Sequence, residues 1–341
     1  MVPAVAVADA LRGEGAEVIF VGGRGARESG APLEQRLIPE AGYELRTLDV
    51  RPLPRRRPLQ AARAALTDTL ALLAAWRLIG ALRPDAVLGA GGYVSGPVGL
   101  AAVIRRVPLV LIEADSHLGL ANRLLAPFAR RVCLSFPLPG RDGPRYRVTG
   151  RPVPAPASDR RAARERFQIG PDETCVLVFG GSQGARSINH AAVEAFAGAR
   201  FHVLHAAGDR DLPDLRAPDP HYDLRGYISD FGEALLASDL VVARAGGSIF
   251  EIAAAGRPAV LVPYPHATAD HQTENAGFMA RAGAAVVIPD AELSGARLAQ
   301  EVGRLLADRS RLTAMARASA QLARPEAAHE IAHELLAAAA R

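Results

Sequence analysis

Between Leu240 and Asn275 the chain switches three times between short apolar runs and helical spacing, and each switch falls at a glycine or a proline. Leu240-Val241-Val242-Ala243 stops at Arg244-Ala245-Gly246-Gly247-Ser248. The chain then resumes as a helical segment, Ile249 to Ala255, which Gly256 closes and Pro258 separates from the next apolar run, Ala259 to Val262. A strand, a glycine turn, a helix and a second buried strand in that order belong to a parallel sheet with helices packed on it. N–H groups at a helix start have no intrahelical acceptor, and glycine lets an anion come close to them, so the turn suits a phosphate. The stretch after the second strand, Pro263 to Asn275, is dense in Tyr, His, Thr, Asp, Gln, Glu and Asn, the donors and acceptors that hydroxyl recognition needs.

The same alternation runs through the rest of the chain. Glu17 to Val21, Ala86 to Leu88, Leu109 to Ile112 and Val132 to Ser135 are strand candidates separated by helical stretches. Gly150-Arg151-Pro152-Val153-Pro154-Ala155-Pro156-Ala157-Ser158 interrupts the pattern with a proline-set linker. Beyond it come a helix over Asp159 to Phe167 and a strand over Thr174 to Phe179. Alternation then continues to about residue 289, and an alanine-rich helix, Pro325 to Arg341, ends the chain. With 341 residues, 49% of them hydrophobic, there is material for two α/β domains meeting near residue 155, each with its own core.

Composition removes several chemistries. All 40 basic residues are arginine, so a Walker-type phosphate loop, a protein-kinase ATP site, a pyridoxal Schiff base and a lysine-dependent aldolase are excluded for want of an ammonium. A net charge of +4 with only 5% aromatic residues argues against a nucleic-acid partner and for an anionic small molecule or membrane surface. Cys133 and Cys175 both sit in apolar runs, which implies neither a disulfide framework nor a cysteine metal site and points to the cytoplasm. Ala86 to Ile104 is uncharged and long enough to span a bilayer, but its glycines read as a loop between strand and helix; no transmembrane segment or signal peptide is expected.

Each glycine loop has a plain alternative. Gly180-Gly181-Ser182-Gln183-Gly184-Ala185 follows a strand and opens a helix with Ile188, Ala191, Ala192, Ala195 and Phe196 on one face; it is either a phosphate or ribose rest or a tight βα connection. None of the loops has the spacing of a dehydrogenase fingerprint. Ser248-Ile249-Phe250-Glu251 fits a capping box, in which Glu251 reaches back to its own helix start; the other reading gives the Glu251 carboxylate to the two ribose hydroxyls. Asp270 is a candidate N-cap that would leave Gln272 and Asn275 on one helical face, with Gln272 aimed at sugar hydroxyls. Asp209-Arg210-Asp211 reads as a solvated turn rather than a metal motif. His329 and His333, beside Glu330 and Glu334, read as an exposed helix face.

Taken together, Gly89-Ala90-Gly91-Gly92-Tyr93-Val94-Ser95-Gly96-Pro97, Gly180 to Ala185, Arg244 to Ser248 with Glu251, and Asp270-His271-Gln272-Thr273-Glu274-Asn275 resemble the MurG-type UDP-N-acetylglucosamine transferase family over nearly the whole chain. The resemblance implies a GT-B fold, two Rossmann-like doubly wound domains facing across a cleft. Residues 1–152 would form an acceptor and membrane-associated domain, 153–324 the UDP-sugar domain, and 325–341 would pack back on the first. It implies an inverting transfer of N-acetylglucosamine from UDP-N-acetylglucosamine to the C4 hydroxyl of lipid I, the undecaprenyl-pyrophosphoryl muramyl-pentapeptide. The work would be done at the cytoplasmic face of the membrane by a peripheral protein with no cofactor and no metal. By the same resemblance Ser182 would contact the UDP phosphates with Gln183 beside it, Ile228 the uracil through its backbone, and Gly246, Gly247 and Ser248 the diphosphate with Arg244 beside them. Glu251 would take the ribose and Gln272 the hexose, with Asn275 in the same loop.

Three departures stand out. The family's Glu-Gln-Asn is Glu113-Ala114-Asp115, which puts Asp115 where an amide would meet the sugar nucleotide, and its Asn-Pro-Val-Arg is Arg151-Pro152-Val153-Pro154. The family's opening strand and glycine-histidine loop, with a histidine proposed as general base, would precede Met1, so no catalytic residue is named and a start upstream of Met1 is expected. Losing that strand should expose an apolar sheet edge. Two rival readings remain, a non-hydrolysing UDP-sugar epimerase and a UDP-sugar binder without transferase activity. Arg55-Arg56-Arg57 before Leu59, Leu66, Leu70, Leu73 and Trp76, and Phe128 before Arg130-Arg131, suit an anionic leaflet or, more plainly, a basic loop leading into a core helix.

Overall fold

The computed structural model describes residues 2–23, 34–50, 58–180, 185–267 and 270–340, and of Val2 and 58–68 the backbone alone. Two compact units emerge, Met1–Val153 with Arg324–Arg341, and Pro154–Ala323.

In the first unit, β1 (Ile19–Gly23) pairs in parallel with β2 (Glu44–Leu48). A separate parallel sheet runs β3 (Val87–Gly89), β4 (Leu109–Glu113), β5 (Arg131–Leu134), β6 (Tyr146–Val148) in that order. β3 is therefore an edge strand, and its Val87 and Gly89 are buried. β4 is buried along its whole length, as a strand covered on both faces must be. Successive side chains point to opposite faces, so Leu109 and Leu111 join Ala75, Ile79, Ala101 and Ala102 from the helices Pro58–Leu82 and Gly92–Ile104. Val110 and Ile112 join Val7, Leu11, Ile331 and Ala332 from the helices Val2–Gly13 and Ala327–Ala339.

The last helix is tied down by charge as well. Glu334 accepts from Arg131 Nε at 2.7 Å and from Arg147 at 2.8 Å, and Glu330 pairs with Arg147 at 3.1 Å. Burial alone would raise the Glu334 carboxyl, but the hydrogen bonds from the two arginines outweigh it and hold the group below the usual range. His329 and His333 are exposed, but the expectation of a wholly solvated face fails at Glu334, whose side chain is only 12% exposed. Its partners come from strands almost two hundred residues earlier, which helical periodicity cannot reveal.

The second unit has one six-stranded parallel sheet made of β7 (Cys175–Phe179), β8 (His202–Ala206), β9 (Tyr222–Arg225), β10 (Leu240–Ala243), β11 (Ala259–Leu261) and β12 (Ala285–Val287). Its spatial order is β12-β11-β10-β7-β8-β9. The chain thus winds outward from β7 through β8 to β9, returns to the other side of β7, and winds outward again. Doubly wound sheets bind ligands outside the carboxyl ends of the strands where the winding reverses, here between β7 and β10. One face is filled by Val176, Val178, Val242 and Val260 against Ile188, Phe196, Leu298 and Val302. Both cysteines lie fully buried in sheets, and burial pushes each thiol up to about 12. Among the described residues no helix is long and apolar enough to cross a membrane.

Candidate functional site

The turn after β10 lies at the point of reversal. Among the described residues, the N–H groups of Gly246, Gly247 and Ser248 donate to no protein acceptor, and all three residues are half-buried. Their surroundings hold the turn rigidly. Asn275, 2% exposed, donates from Nδ2 to the Ala245 carbonyl at 2.9 Å. Arg244, 8% exposed, donates to the carbonyls of Val262 and Pro263 at 3.1 Å each, to Asp290 Oδ1 at 2.6 Å and to Ser187 Oγ at 2.7 Å. Gln272 accepts from the Tyr264 N–H at 3.0 Å, and a Cβ added to Gly246 would lie 3.9 Å from Gln272 Nε2. The turn and the start of the helix His271–Arg281 therefore meet, with Gln272 Nε2 beside Gly246.

Two capping expectations are corrected here. Ser248 makes no side-chain cap hydrogen bond: it already has helical φ and ψ, whereas a capping residue takes extended ones. Half of the capping box is thus absent, and Glu251 sits half-buried in the first turn of the helix Ile249–Ala254. Asp270 caps no amide either: it adopts a left-handed φ of 53° and accepts from the Thr273 hydroxyl at 2.7 Å. Asn275 points inward, where its Oδ1 is buried with no hydrogen-bond partner among the described residues. Ile228 is 5% exposed and lies between β9 and the helix Phe231–Ala237. Ser182 and Gln183 fall in 181–184, outside the described residues, as do Arg55-Arg56-Arg57.

Known proteins share both halves. Residues 1–134 match the glycosyltransferase family 28 N-terminal domain, and residues 175–331 match the glycosyltransferase family 28 C-terminal domain. The chain belongs to glycosyltransferase family 28. It is 41% identical to the UDP-N-acetylglucosamine–N-acetylmuramyl-(pentapeptide) pyrophosphoryl-undecaprenol N-acetylglucosamine transferase of Moorella thermoacetica, over 98% of this chain and 94% of that one. The protein of the same name from Rubrobacter xylanophilus is 40% identical over 97% and 98%. Among solved structures, MurG of Acinetobacter baumannii superposes with a TM-score of 0.76 at 29% identity, covering 98% of this chain and 95% of that chain. The calicheamicin glycosyltransferase CalG4, at 20% identity and a TM-score of 0.70, shares the fold. Two Rossmann-like parallel α/β domains of the GT-B kind are thus the architecture of this family 28 protein.

In the family's N-terminal domain the position of interest, Asp115, follows β4. Its N–H donates to Glu113 Oε1 at 3.1 Å, and Glu113 Oε2 accepts from the Gly119 N–H at 2.8 Å and from Asn122 Nδ2 at 2.9 Å. Glu113 is 5% exposed, so this carboxylate folds the loop that presents Asp115. The signal in the sequence is a glutamate ending an otherwise apolar strand, where it serves the backbone beyond. Arg151 reaches the Ala114 carbonyl at 3.5 Å in the same unit.

Asp211 is another correction. Expected in a solvated turn, it is 6% exposed and accepts from Asn189 Nδ2 at 3.1 Å and Arg210 Nε at 2.9 Å. Asn189 in turn bonds His205 Nε2 at 3.0 Å, whose Nδ1 meets the Tyr222 hydroxyl at 2.7 Å. Burial lowers His205 to about 4, so the ring is neutral at neutral pH. This chain of bonds braces the start of the helix Arg186–Ala195 against β8 and β9. Among the described residues no group of three or more His, Cys, Asp or Glu side chains is placed to hold a metal ion.

Proposed function

We propose that this family 28 protein transfers N-acetylglucosamine from UDP-N-acetylglucosamine to the C4 hydroxyl of the muramyl-pentapeptide of lipid I, releasing UDP and forming lipid II. One observation carries the reading: identity of 40–41% to proteins named for that reaction runs through nearly the full length of both domains. The reaction is an inverting displacement, in which the acceptor hydroxyl attacks the anomeric carbon from the face opposite the leaving diphosphate. Charge grows on the diphosphate as the glycosidic bond breaks. The amides of Gly246, Gly247 and Ser248, unpartnered among the described residues, are preorganised donors for it, acting where charge develops.

In this reading the second unit binds the donor, with Ser182 and Gln183 on the phosphate loop, Ile228 at the uracil, Glu251 at the ribose and Gln272 at the hexose. Arg244 and Asn275 serve the site by holding its backbone. The first unit takes the acceptor, and Asp115 serves substrate binding from the loop that Glu113 folds. Purified protein incubated with UDP-N-acetylglucosamine and lipid I should yield lipid II and UDP by mass spectrometry. Conversion of the UDP-sugar to its 2-epimer without acceptor would replace the proposal with the epimerase reading, and donor binding without transfer would replace it with the binder.

Gln272 offers a narrower test. Its Oε1 is engaged by Tyr264, which leaves Nε2 to donate to a hexose hydroxyl. Gln272→Ala should raise KM for UDP-N-acetylglucosamine about ten-fold, the worth of about one hydrogen bond to a buried partner, and leave UDP affinity within about two-fold. Equal weakening of both ligands would remove the hexose role.

We infer as well that the first unit docks on the cytoplasmic leaflet as a peripheral protein. Leu73, Trp76, Ile104 and Phe128 are exposed on neighbouring helices, and Arg105 stacks over the Trp76 ring at 4.0 Å. Arg106, Arg130 and Arg145 line a shallow groove beside Phe128. Apolar side chains with arginines around them suit an anionic bilayer surface. Vesicles containing phosphatidylglycerol should sediment the protein, and Trp76→Ala with Phe128→Ala should cut the bound fraction at least about three-fold. Equal binding to neutral and anionic vesicles would remove the inference.

A further inference from the structure

Three side chains close a ring beside the glycine turn. Arg244 reaches Asp290 Oδ1 at 2.6 Å and Ser187 Oγ at 2.7 Å, and Ser187 Oγ donates to the same Asp290 oxygen at 2.7 Å. With its bonds to the Val262 and Pro263 carbonyls, one guanidinium joins the segments that follow β7, β10, β11 and β12. Those are four adjacent strands spanning the point where the winding reverses. Nothing in the sequence pattern or in the family match assigns Asp290 or Ser187 a role.

We propose that Asp290 and Ser187 are positioning residues for donor binding: by clasping Arg244 they set the spacing between the start of the helix Arg186–Ala195, the glycine turn and the Val262-Pro263 segment that leads toward Gln272 on the helix His271–Arg281. The proposal rests on the reading of this turn as the diphosphate site. Arg244 enters the turn at its first residue, and Asn275 pins the next carbonyl, so the amides of Gly246, Gly247 and Ser248 follow directly from a fixed backbone. The guanidinium is 10% exposed and neutralised by Asp290, which leaves the clasp to act on geometry while the amides meet the phosphate charge. A site whose donors must sit within about half an ångström of their targets is sensitive to such a clasp.

The alternative, that Arg244 itself grips the phosphates, predicts the opposite sign. Freed from Asp290, a phosphate-binding arginine would bind UDP more tightly, whereas a broken clasp weakens binding. Calorimetric titration of UDP into the full-length protein, below its melting temperature and with folding checked by circular dichroism, should show affinity falling about ten-fold or more in Asp290→Ala and about three-fold in Ser187→Ala. In the double variant Arg244→Met with Asp290→Leu, which removes the buried pair together, melting temperature should recover toward wild type while UDP affinity stays low. Unchanged or tighter binding in Asp290→Ala overturns the clasp, as does recovery of both stability and affinity in the double variant. Failure of the wild-type protein to bind UDP at all would instead sink the donor-site reading on which the clasp depends.

Discussion

Replacing Glu251 with alanine is expected to lower kcat/KM for UDP-N-acetylglucosamine about a hundred-fold, beyond any loss of folded protein. The carboxylate stands half-buried in the first turn of a helix whose N-cap serine makes no side-chain cap hydrogen bond, so half of the local capping arrangement is missing. A carboxylate can accept from both ribose hydroxyls at once, and hydrogen bonds to charged groups contribute about 1.5–3 kcal/mol each. After partial replacement by water, about 3 kcal/mol of transition-state binding disappears, which is roughly the hundred-fold stated. Glu251→Gln keeps one acceptor and should fall between. A 2′-deoxyribose donor provides the internal check: wild type should discriminate against it, and Glu251→Ala should discriminate far less. If the variant keeps wild-type kcat/KM, or loses activity only in proportion to lost folded protein, the ribose role is wrong.

Acid should weaken the second unit through His205. The buried ring, held by Tyr222 and Asn189, takes a proton only near pH 4 in the folded state but near 6.5 once unfolded. Between those values the unfolded chain binds more protons, so stability is complete above about pH 6.5 and declines as pH falls toward 4, by up to about 3 kcal/mol. His202, lowered chiefly by its own burial, adds in the same direction. Urea unfolding at pH 7.5 and pH 4.5 should show this loss in the wild type. His205→Gln should start less stable, because the bonds to Tyr222 and Asn189 are disturbed, yet show a flatter pH dependence. A variant with the wild-type slope would place the acid sensitivity elsewhere.

Much of this protein is local enough to read along the chain. Strand and helix periods, the closure of the helix Ile249–Ala254 by Gly256 at a φ of 61°, and the glycines of each βα turn are set by residues within a few positions of one another. The family match followed from the same segments, since backbone amides on a glycine turn need only the right chain path. Local patterns misled where a polar side chain had two possible partners. Asp270 was expected to cap its own helix and takes Thr273 instead, and Asp211 was expected in solvent and lies beneath Asn189.

What the amino-acid sequence alone determined was the pair of α/β domains, the family, and the glycine turn with Glu251 and Gln272 after it. Periodicity and turn chemistry act over a handful of residues, and each position carries its own information. Tertiary structure alone decided that β7 and β10 are neighbours at the reversal of winding and that Asn275 faces inward. It also decided that Glu113 folds the Asp115 loop and that Arg244 is bound to Asp290 and Ser187. Strand order and the partners of buried charges depend on residues tens of positions apart in the chain. A buried cation must find an anion, and only the packed sheet determines which one lies within reach.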